Sequence, residues 1–504
     1  MLMAATASAS VTLPATGNPI TQTPEGEQVT YRRSSTAAML YYSVMLLTGY
    51  EDYMVGDVVF APNGDVYFKD MISEFDVDGW LKGTLRGDTI TMELPQPILN
   101  YYGDVYYAFK MDCITDDTGA LSDASASDDQ TVKFLYKDGT ITQVGDSTEL
   151  YSHMIGLCTE NAEWTWYGDM AYSYQPFTDS LTTLPQGLTA EEYALTTESD
   201  GHFVKMARDA GNAYIQGLSE HYPEAWVKLT VQPNGDLTLP GAQYVGTEQK
   251  HFCYIYPGTY EIQYTFGSAY TYDVTLQDEW TLTYDETDGS YSMPDTCCIV
   301  VNGRKDMRTI YDYYISPSMR TQPDVTEATP ANPVIQDVKA DAMAGSGTNY
   351  ILCSIPCTDT RGYLLDKNRL SYELYFDGEP FTFYQDDYTR FPDEEMTRVP
   401  YSFTDSWDLS CSGAYHQIYL YVDGFDEVGV RSFYDSANGE TYTSDLVTYS
   451  VNDSAIEEVN AESNSAGTQL YDLTGRRAAA NSRGVMIQRR VMDNGAVKVS
   501  KIMR

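Results

Sequence analysis

The feature that most constrains the fold is a stretch of sequence that occurs twice, about 146 residues apart. Residues 65–84 align with residues 212–230, and a second match pairs FLYKDG at 134–139 with LTYDETDG at 282–289. One nearly constant offset over about seventy positions is not expected by chance, so we predict two homologous repeat units. The structural anchors of the alignment are Tyr67, Trp80, Tyr214 and Trp226.

Within each repeat the apolar residues follow a period of two, which is typical of β-strands. Asn-Gly turns at 63–64 and 234–235 separate short alternating runs and predict tight hairpins. The 44 Tyr fit this interpretation, because the ring packs on a half-buried sheet while the hydroxyl stays in water. We therefore predict an all-β chain whose repeats form antiparallel sandwiches or barrels, with both Trp anchors in the cores.

The C-terminal half of the chain carries a third predicted domain and a tail. The Pro- and Thr-rich segment 317–333 is typical of a linker, and about six strand patterns follow it. That rhythm favours an immunoglobulin or fibronectin type III-like sandwich. The predicted organisation is a leader at 1–18, repeat units at 19–178 and 179–316, the linker at 317–333, the sandwich at 334–453 and a small β tail at 454–504.

The net charge of -42 limits the classes of partner. Nucleic acids and anionic membrane surfaces bind basic footprints, so neither is expected here. No segment approaches the roughly 20 apolar residues of a membrane-spanning helix.

Both ends of the chain predict export. MLMAATASA at 1–9 has the small-residue ending of a secretory signal peptide, although it lacks a basic region, and the alternative is an apolar N terminus. From 468 to 504 the charge turns basic, and LYDLTGRR, RGVMIQRR and VKVSKIM predict three strands with an Asn-Gly turn at 494–495. This pattern resembles the C-terminal sorting domain of secreted Bacteroidales proteins. The resemblance implies recognition by the outer-membrane export machinery of type IX secretion; the alternative is a basic tail that packs on an acidic body.

The repeats also resemble a family. The text AYIQGLSEHYPEAWVKLT, followed by LTLPGAQYVG, at 213–246 is similar to the "VYIQGL…AWVKGT…QYLG" pattern of secreted, Bacteroides- or Prevotella-type multidomain proteins, and the first repeat matches it more loosely. The resemblance spans roughly residues 20–320. It implies an extracellular or cell-surface location and a β architecture, but no particular activity.

Signatures of catalysis and of metal binding are absent from the sequence. The five His are isolated, and there is no H-E-x-x-H zinc motif, nucleophile elbow or P-loop. The 73 acidic residues allow many carboxylate pairs, and the sequence selects none. We therefore predict no catalytic residue, no metal and no cofactor. Eight Cys allow one disulfide per repeat as a hypothesis, for example between Cys113 and Cys158.

One aromatic cluster stands out as a candidate ligand-binding site. In EWTWYGDMAYSYQPF at 163–177, a strand would place Trp164 and Trp166 on one face and Tyr167 on the other. Exposed rings beside polar groups would form a sugar-binding platform, whereas buried rings would belong to a core or to the junction of the repeats. The candidate ligand-binding residues are Trp164, Trp166, Tyr167, Tyr172 and Tyr174.

These observations favour a secreted or cell-surface, non-enzymatic, adhesin-like protein that binds a glycan or a host or matrix protein. One alternative is a secreted glycosidase or peptidase with an unrecognised carboxylate site. The other is a purely structural surface spacer. A deep pocket with two facing acids would favour the hydrolase, and an exposed aromatic surface would favour binding.

Overall fold

The computed structural model describes residues 17–41, 45–197, 200–248, 250–264, 270–302, 310–339, 342, 348–385, 395–405, 408–422 and 424–451, and the backbone of three further strands, 465–471, 485–492 and 497–503. The chain is almost entirely β, and the strand pairs formed by the described residues are antiparallel, which confirms the predicted fold class. Nowhere in these residues does a helix have the length and apolar character needed to cross a membrane. Contacts divide the chain into two compact bodies, residues 1–193 with 204–321 and residues 194–203 with 322–504.

The first repeat unit is built around a closed barrel of eight strands. Its pairing order is β1-β2-β3-β4-β5-β9-β10-β12, and β12 returns to β1. The elements are β1 (Glu27–Tyr41), β2 (Met45–Phe60), β3 (Asp65–Lys69), β4 (Trp80–Arg86), β5 (Thr89–Glu93), β6 (Gln96–Tyr101), β7 (Asp104–Thr115), β8 (Leu121–Ala126), β9 (Thr131–Lys137), β10 (Thr140–Gln143), α1 (Glu149–Ser152), β11 (His153–Cys158) and β12 (Trp164–Pro176).

A side sheet extends from this barrel. Its central strand is β7, which pairs with β6 and β8 along one edge and with β11 along the other. The N-terminal half of β12 pairs with β11, and its C-terminal half enters the barrel. The strand changes direction at Ala171, whose φ is 56°.

The second repeat unit has the same order of paired strands. Its closed barrel runs β13-β14-β15-β16-β17-β21-β22-β25, and its side sheet is centred on β19, which pairs with β18, β20 and β23. The strands are β13 (Ala190–Thr196), β14 (Gly201–Arg208), β15 (Asn212–Gln216), β16 (Trp226–Val231), β17 (Leu237–Pro240), β18 (Gln243–Glu248), β19 (His251–Tyr264), β20 (Tyr270–Leu276), β21 (Glu279–Asp285), β22 (Ser290–Ser292), β23 (Cys297–Asn302), β24 (Ile310–Ile315) and β25 (Ser318–Arg320).

Equivalent residues make equivalent contacts in the two repeats. The Gln96 amide bridges the backbone N–H and C=O of Lys82 at 2.8 and 2.7 Å, and the Gln243 amide does the same for Lys228 at 2.8 and 2.9 Å. Ser316, between β24 and β25, has a φ of 46° where the first repeat has Ala171. The strand β25 falls within the segment predicted as a linker.

Alternate residues along the strands point into the first barrel, and their side chains fill its interior. Phe68 and Phe134 stack at 5.3 Å between centroids, and Tyr174 lies 5.5 Å from Phe68. An interior of eight strands is about wide enough for such side chains. Of the four repeat anchors, Trp80 and Tyr214 are buried, whereas Tyr67 and Trp226 are half-buried. None of the five cysteines of the repeats forms a disulfide, so the hypothesis of one disulfide per repeat is wrong; they are Cys113, Cys158, Cys253, Cys297 and Cys298.

The third domain is a two-sheet sandwich. One sheet has the order β26-β27-β34-β33, and the other contains β29-β28-β35-β36 with β32 and β37 at its margins. Both sheets contribute to one core, in which Ile351 and Ile418 meet Leu374 and Val430. The elements are β26 (Val334–Lys339), β27 (Thr348–Ser354), a 3₁₀ helix (Lys367–Arg369), β28 (Leu370–Phe376), β29 (Glu379–Pro380), β30 (Phe383–Tyr384), β31 (Glu395–Met396), β32 (Val399–Pro400), β33 (Leu409–Ser412), β34 (Tyr415–Tyr421), β35 (Glu427–Asp435), β36 (Thr441–Thr443) and β37 (Val447–Ser450).

The tail forms a three-stranded antiparallel sheet from β38 (Ser465–Tyr471), β39 (Val485–Met492) and β40 (Val497–Met503). These strands overlap the three segments predicted from the sequence. The leader residues 1–16 and the Asn-Gly turn at 494–495 lie outside the described residues.

Candidate ligand-binding surface

The five aromatic residues predicted as a ligand site do not lie together. Tyr172 and Tyr174 point into the first barrel, where their side chains are 2% and 0% exposed. The Tyr172 hydroxyl donates to the Met71 carbonyl at 2.8 Å, and burial raises the pKa of both phenols. The bend at Ala171 carries this half of β12 into the core, so these two residues are not available to a ligand.

Trp164, Trp166 and Tyr167 lie in the half of β12 that belongs to the side sheet. The rings of Trp164 and Trp166 contact each other, with centroids 5.2 Å apart and planes at 35°. Trp164 is half-buried and donates from its indole nitrogen to the Tyr167 carbonyl at 2.9 Å, whereas Trp166 is 37% exposed. Tyr167 packs with residues of the barrel core while Trp164 packs on the other side of β7. The two tryptophans therefore form a pair on one face, and Tyr167 lies on the opposite face, as the sequence pattern predicts.

Tyr167 belongs to a second aromatic group that sequence reasoning missed. Its ring lies 4.9 Å from Phe75, which lies 6.3 Å from Tyr101, and Tyr101 lies 4.5 Å from Tyr102. Phe75 comes from the loop between β3 and β4, Tyr101 is the last residue of β6, and Tyr102 lies in the turn between β6 and β7. We call Phe75, Tyr101, Tyr102 and Tyr167 the aromatic edge.

The aromatic edge exposes two of its four rings to solvent, at a turn with unusual backbone geometry. Tyr101 is 48% exposed and Tyr102 is 92% exposed. Tyr102 has a φ of 52° and Gly103 a φ of 95°, which is the left-handed geometry of a hairpin turn that ordinarily carries Asn-Gly. A side chain as large as Tyr in this region costs on the order of 1 kcal/mol. Stability therefore does not account for a nearly fully exposed tyrosine at this position.

Exposed carboxylates lie next to residues of the aromatic edge in the sequence. Asp76 and Asp78 follow Phe75 in the loop, Asp104 follows the turn, and all three are exposed. Flat rings beside hydrogen-bond acceptors can stack on a sugar ring and accept hydrogen bonds from its hydroxyls, and they can also bind a basic protein surface. An anionic ligand is disfavoured here by charge repulsion.

A buried polar network holds the first residues of the loop that carries Phe75. Asp169, which is fully buried, accepts from the Ser35 hydroxyl at 2.5 Å, from the Ser73 backbone N–H at 2.8 Å and from the Ser73 hydroxyl. Arg33, also fully buried, donates to the Ser73 hydroxyl at 2.9 Å and to the Asp70 carbonyl. Burial raises the pKa of Asp70. This network fixes the start of the loop at the base of the aromatic edge.

A cavity of about 380 Å³ lies beside the same loop, on the arm that β1 and β2 extend beyond the barrel. Its walls are mostly small or apolar, but two carboxylates, Glu51 and Glu74, also line it. Glu51 is buried, and its Oε2 atom lies 3.9 Å from Nε2 of His251. The lining residues are Ala37, Met39, Leu47, Thr48, Gly49, Glu51 and Glu74.

Comparison with known proteins does not assign this site. No protein-family model matches the chain. No curated protein is similar to it in sequence. Among the described residues, no three His, Cys, Asp or Glu side chains come together as ligands for a metal ion. The geometry of the aromatic edge and of the cavity therefore carries the functional argument.

Proposed function

We propose that this chain is a secreted or cell-surface, non-enzymatic binding protein of the adhesin-like type, whose ligand is a glycan or an extracellular protein. The observation that carries the proposal is the exposed aromatic edge, with Tyr102 presented at a left-handed turn position. The export patterns at both ends of the sequence support the location, and the C-terminal tail supports recognition by outer-membrane export machinery. The repeated units and the fibronectin type III-like sandwich suit a display role.

The aromatic edge favours neutral or basic ligands. Its rings supply apolar contact area at low entropic cost, and its carboxylates supply acceptors. A neutral glycan fits both features, because its CH faces stack on rings and its hydroxyls donate to carboxylates. A basic patch on an extracellular protein is the other ligand of suitable chemistry.

Arrays of glycans and extracellular-matrix proteins, probed with the full chain, test the proposal. We expect saturable binding that falls at least tenfold in Tyr101→Ala/Tyr102→Ala. Binding should survive Tyr421→Ala, which removes a tyrosine that is 68% exposed in the sandwich. Loss of binding in Trp164→Ala/Trp166→Ala alone would move the site to the opposite face of the side sheet. Silent arrays would contradict binding and favour the structural spacer.

A hydrolase is the second candidate, and the cavity with Glu51 and Glu74 is the observation that favours it. Two carboxylates at one cavity are the minimum for acid and base or nucleophile roles in glycoside hydrolysis. Turnover of polysaccharide or peptide libraries by the wild-type chain, lost in both Glu51→Gln and Glu74→Gln, would establish this activity. Turnover that persists in both variants would exclude the cavity as its site.

A further inference from the structure

A lysine of the second repeat reaches into the loop of the first repeat that carries Phe75. Nζ of Lys250 donates to the Phe75 carbonyl at 2.6 Å and to the Ile72 carbonyl at 3.1 Å. The same atom lies 3.9 Å from Oδ1 of Asp70 and 3.8 Å from Oδ1 of Asp76. One ammonium group therefore contacts four residues of a single loop.

The backbone of Lys250 is itself fixed on the first repeat. The Val55 N–H donates to the Lys250 carbonyl at 2.7 Å, and the next residue, His251, pairs with Met54 of β2. The Lys250 side chain is only 13% exposed. The junction of the two repeats therefore fixes both the backbone of Lys250 and the direction of its side chain.

The loop depends on such contacts because it forms no strand between β3 and β4. Its carbonyls at Ile72 and Phe75 find donors on Lys250. A buried ammonium group is stable only where acceptors and carboxylates replace its water, and this loop provides both. Removal of the ammonium group would leave these two carbonyls without this donor and would release Phe75 from its neighbours.

The first repeat has no side chain at the position that corresponds to Lys250, so it does not make the equivalent contact with the second repeat. By the register of the side sheets, the residue of the first repeat that corresponds to Lys250 is Gly103. A Cβ atom built there would meet no other atom within 4 Å, so this turn lies open beside the exposed Tyr102. At equivalent turns, the second repeat therefore inserts the Lys250 side chain into the first repeat, whereas the first repeat presents the Tyr102 ring to solvent.

We propose that Lys250 is a positioning residue for the aromatic edge, and that the edge keeps its shape only when the second repeat holds the loop of the first. The ligand class rests on the proposed function above; the effect on the loop does not. The second repeat is then part of the binding surface of the first rather than an independent module.

Hydrogen exchange on the full chain tests the proposal without any ligand. Lys250→Met keeps the apolar stem and removes the ammonium group, and we expect amides of residues 70–79 to exchange on the order of tenfold faster. Lys250→Gln, with a shorter N–H donor, should give an intermediate rate, and Lys250→Arg should restore most of the protection. Lys228→Met, at an exposed lysine of the second repeat, is the matched control and should leave the rates unchanged. Equal exchange in the wild type and Lys250→Met would overturn the proposal.

Calorimetric titration with β-linked glucan, xylan and mannan hexasaccharides provides the second readout. We expect affinity to fall at least tenfold in Lys250→Met and to recover in Lys250→Arg, a rescue that a general loss of stability would not produce. Equal affinity in the wild type and Lys250→Met would overturn the positioning role. If the wild type binds none of the three, the glycan form of the proposed function fails, and hydrogen exchange alone decides the role of Lys250.

Discussion

The two repeats use one strand plan to build different surfaces at equivalent positions. In the first repeat, Phe75 packs against Tyr101 and Tyr167. In the second, the residue aligned with Phe75 is His221, whose Nε2 atom lies 3.1 Å from Oε2 of Glu248, the residue aligned with Tyr101.

Asp312, where the strand register of the first repeat has Tyr167, accepts from the His221 backbone N–H at 3.0 Å and from the Ser219 hydroxyl. The aromatic rings of the first repeat are thus replaced by a histidine–glutamate contact and by an aspartate that accepts hydrogen bonds from the loop. The two barrels share a frame of paired strands, whereas the loops and turns that project from this frame differ. Binding surfaces are commonly built in this way, because surface loops tolerate change and a rigid scaffold positions them.

The largest expected difference concerns the polar groups that hold the two loops. Asp169→Ala should lower the free energy of unfolding by about 3–5 kcal/mol, because the Ser35 hydroxyl, the Ser73 hydroxyl and the Ser73 N–H would lose their shared acceptor in a buried site. At the equivalent position Tyr314 accepts from the Glu220 backbone N–H at 2.8 Å, and Tyr314→Phe should cost only about 1 kcal/mol. Chemical denaturation of both variants at pH 7 measures the difference. Equal costs would show that the two loops are held alike.

The anchor tryptophans should differ by a smaller amount. Trp80 is 2% exposed, so Trp80→Ala should cost about 3–5 kcal/mol. Trp226 begins the equivalent strand but is only half-buried, and Trp226→Ala should cost about 1–2 kcal/mol. Thermal or chemical unfolding of the two variants provides the check. A cost for Trp226→Ala as large as that for Trp80→Ala would mean that both repeats rely equally on this anchor.

The divergent surfaces themselves should differ in stability as well as in binding. Phe75→Ala removes two ring contacts of about 0.5–1.5 kcal/mol each and should abolish ligand binding. His221→Ala removes the pair of His221 with Glu248, whose side chains are 35% and 37% exposed. Solvent screening should therefore keep the loss in free energy of unfolding below about 1 kcal/mol. Denaturation combined with the array measurement separates the two. Loss of ligand binding in His221→Ala would place part of the binding surface on the second repeat.

The smallest effect is expected at Trp166, whose φ of 73° is unfavourable for any residue with a side chain. Trp166→Gly should leave the free energy of unfolding unchanged or raise it by up to about 1 kcal/mol, because relief of the backbone offsets the lost contact with Trp164. Ala171→Gly, at a φ of 56° in the same strand, is the matched control and should raise stability without removing a ring. A loss of more than about 2 kcal/mol in Trp166→Gly would show that this ring is a structural residue.

The sequence predicted the aromatic residues of β12 only in part. Alternation placed Trp164 and Trp166 on one face, and their rings are in contact. It could not place Tyr172 and Tyr174, because the strand bends at Ala171 from the side sheet into the barrel, and an alanine carries no signal for a left-handed φ.

The aromatic edge was missed because its members come from a loop, a turn and a strand. Two signals could have found it. Phe75 and Tyr101 align with His221 and Glu248 in the other repeat, and Tyr-Gly stands at 102–103, a turn position that favours Asn-Gly.

By itself, the sequence determined the all-β class, the positions of many hairpins and the 146-residue offset, since alternation and turn chemistry act over a few residues. Only the tertiary structure decided that eight strands of each repeat close into a barrel, that Phe75 meets Tyr101 and Tyr167, and that Lys250 enters the loop of the other repeat. These contacts join residues that are tens to nearly two hundred positions apart. Their pairing is set by strand closure and by packing at the junction of the repeats, which no local pattern encodes.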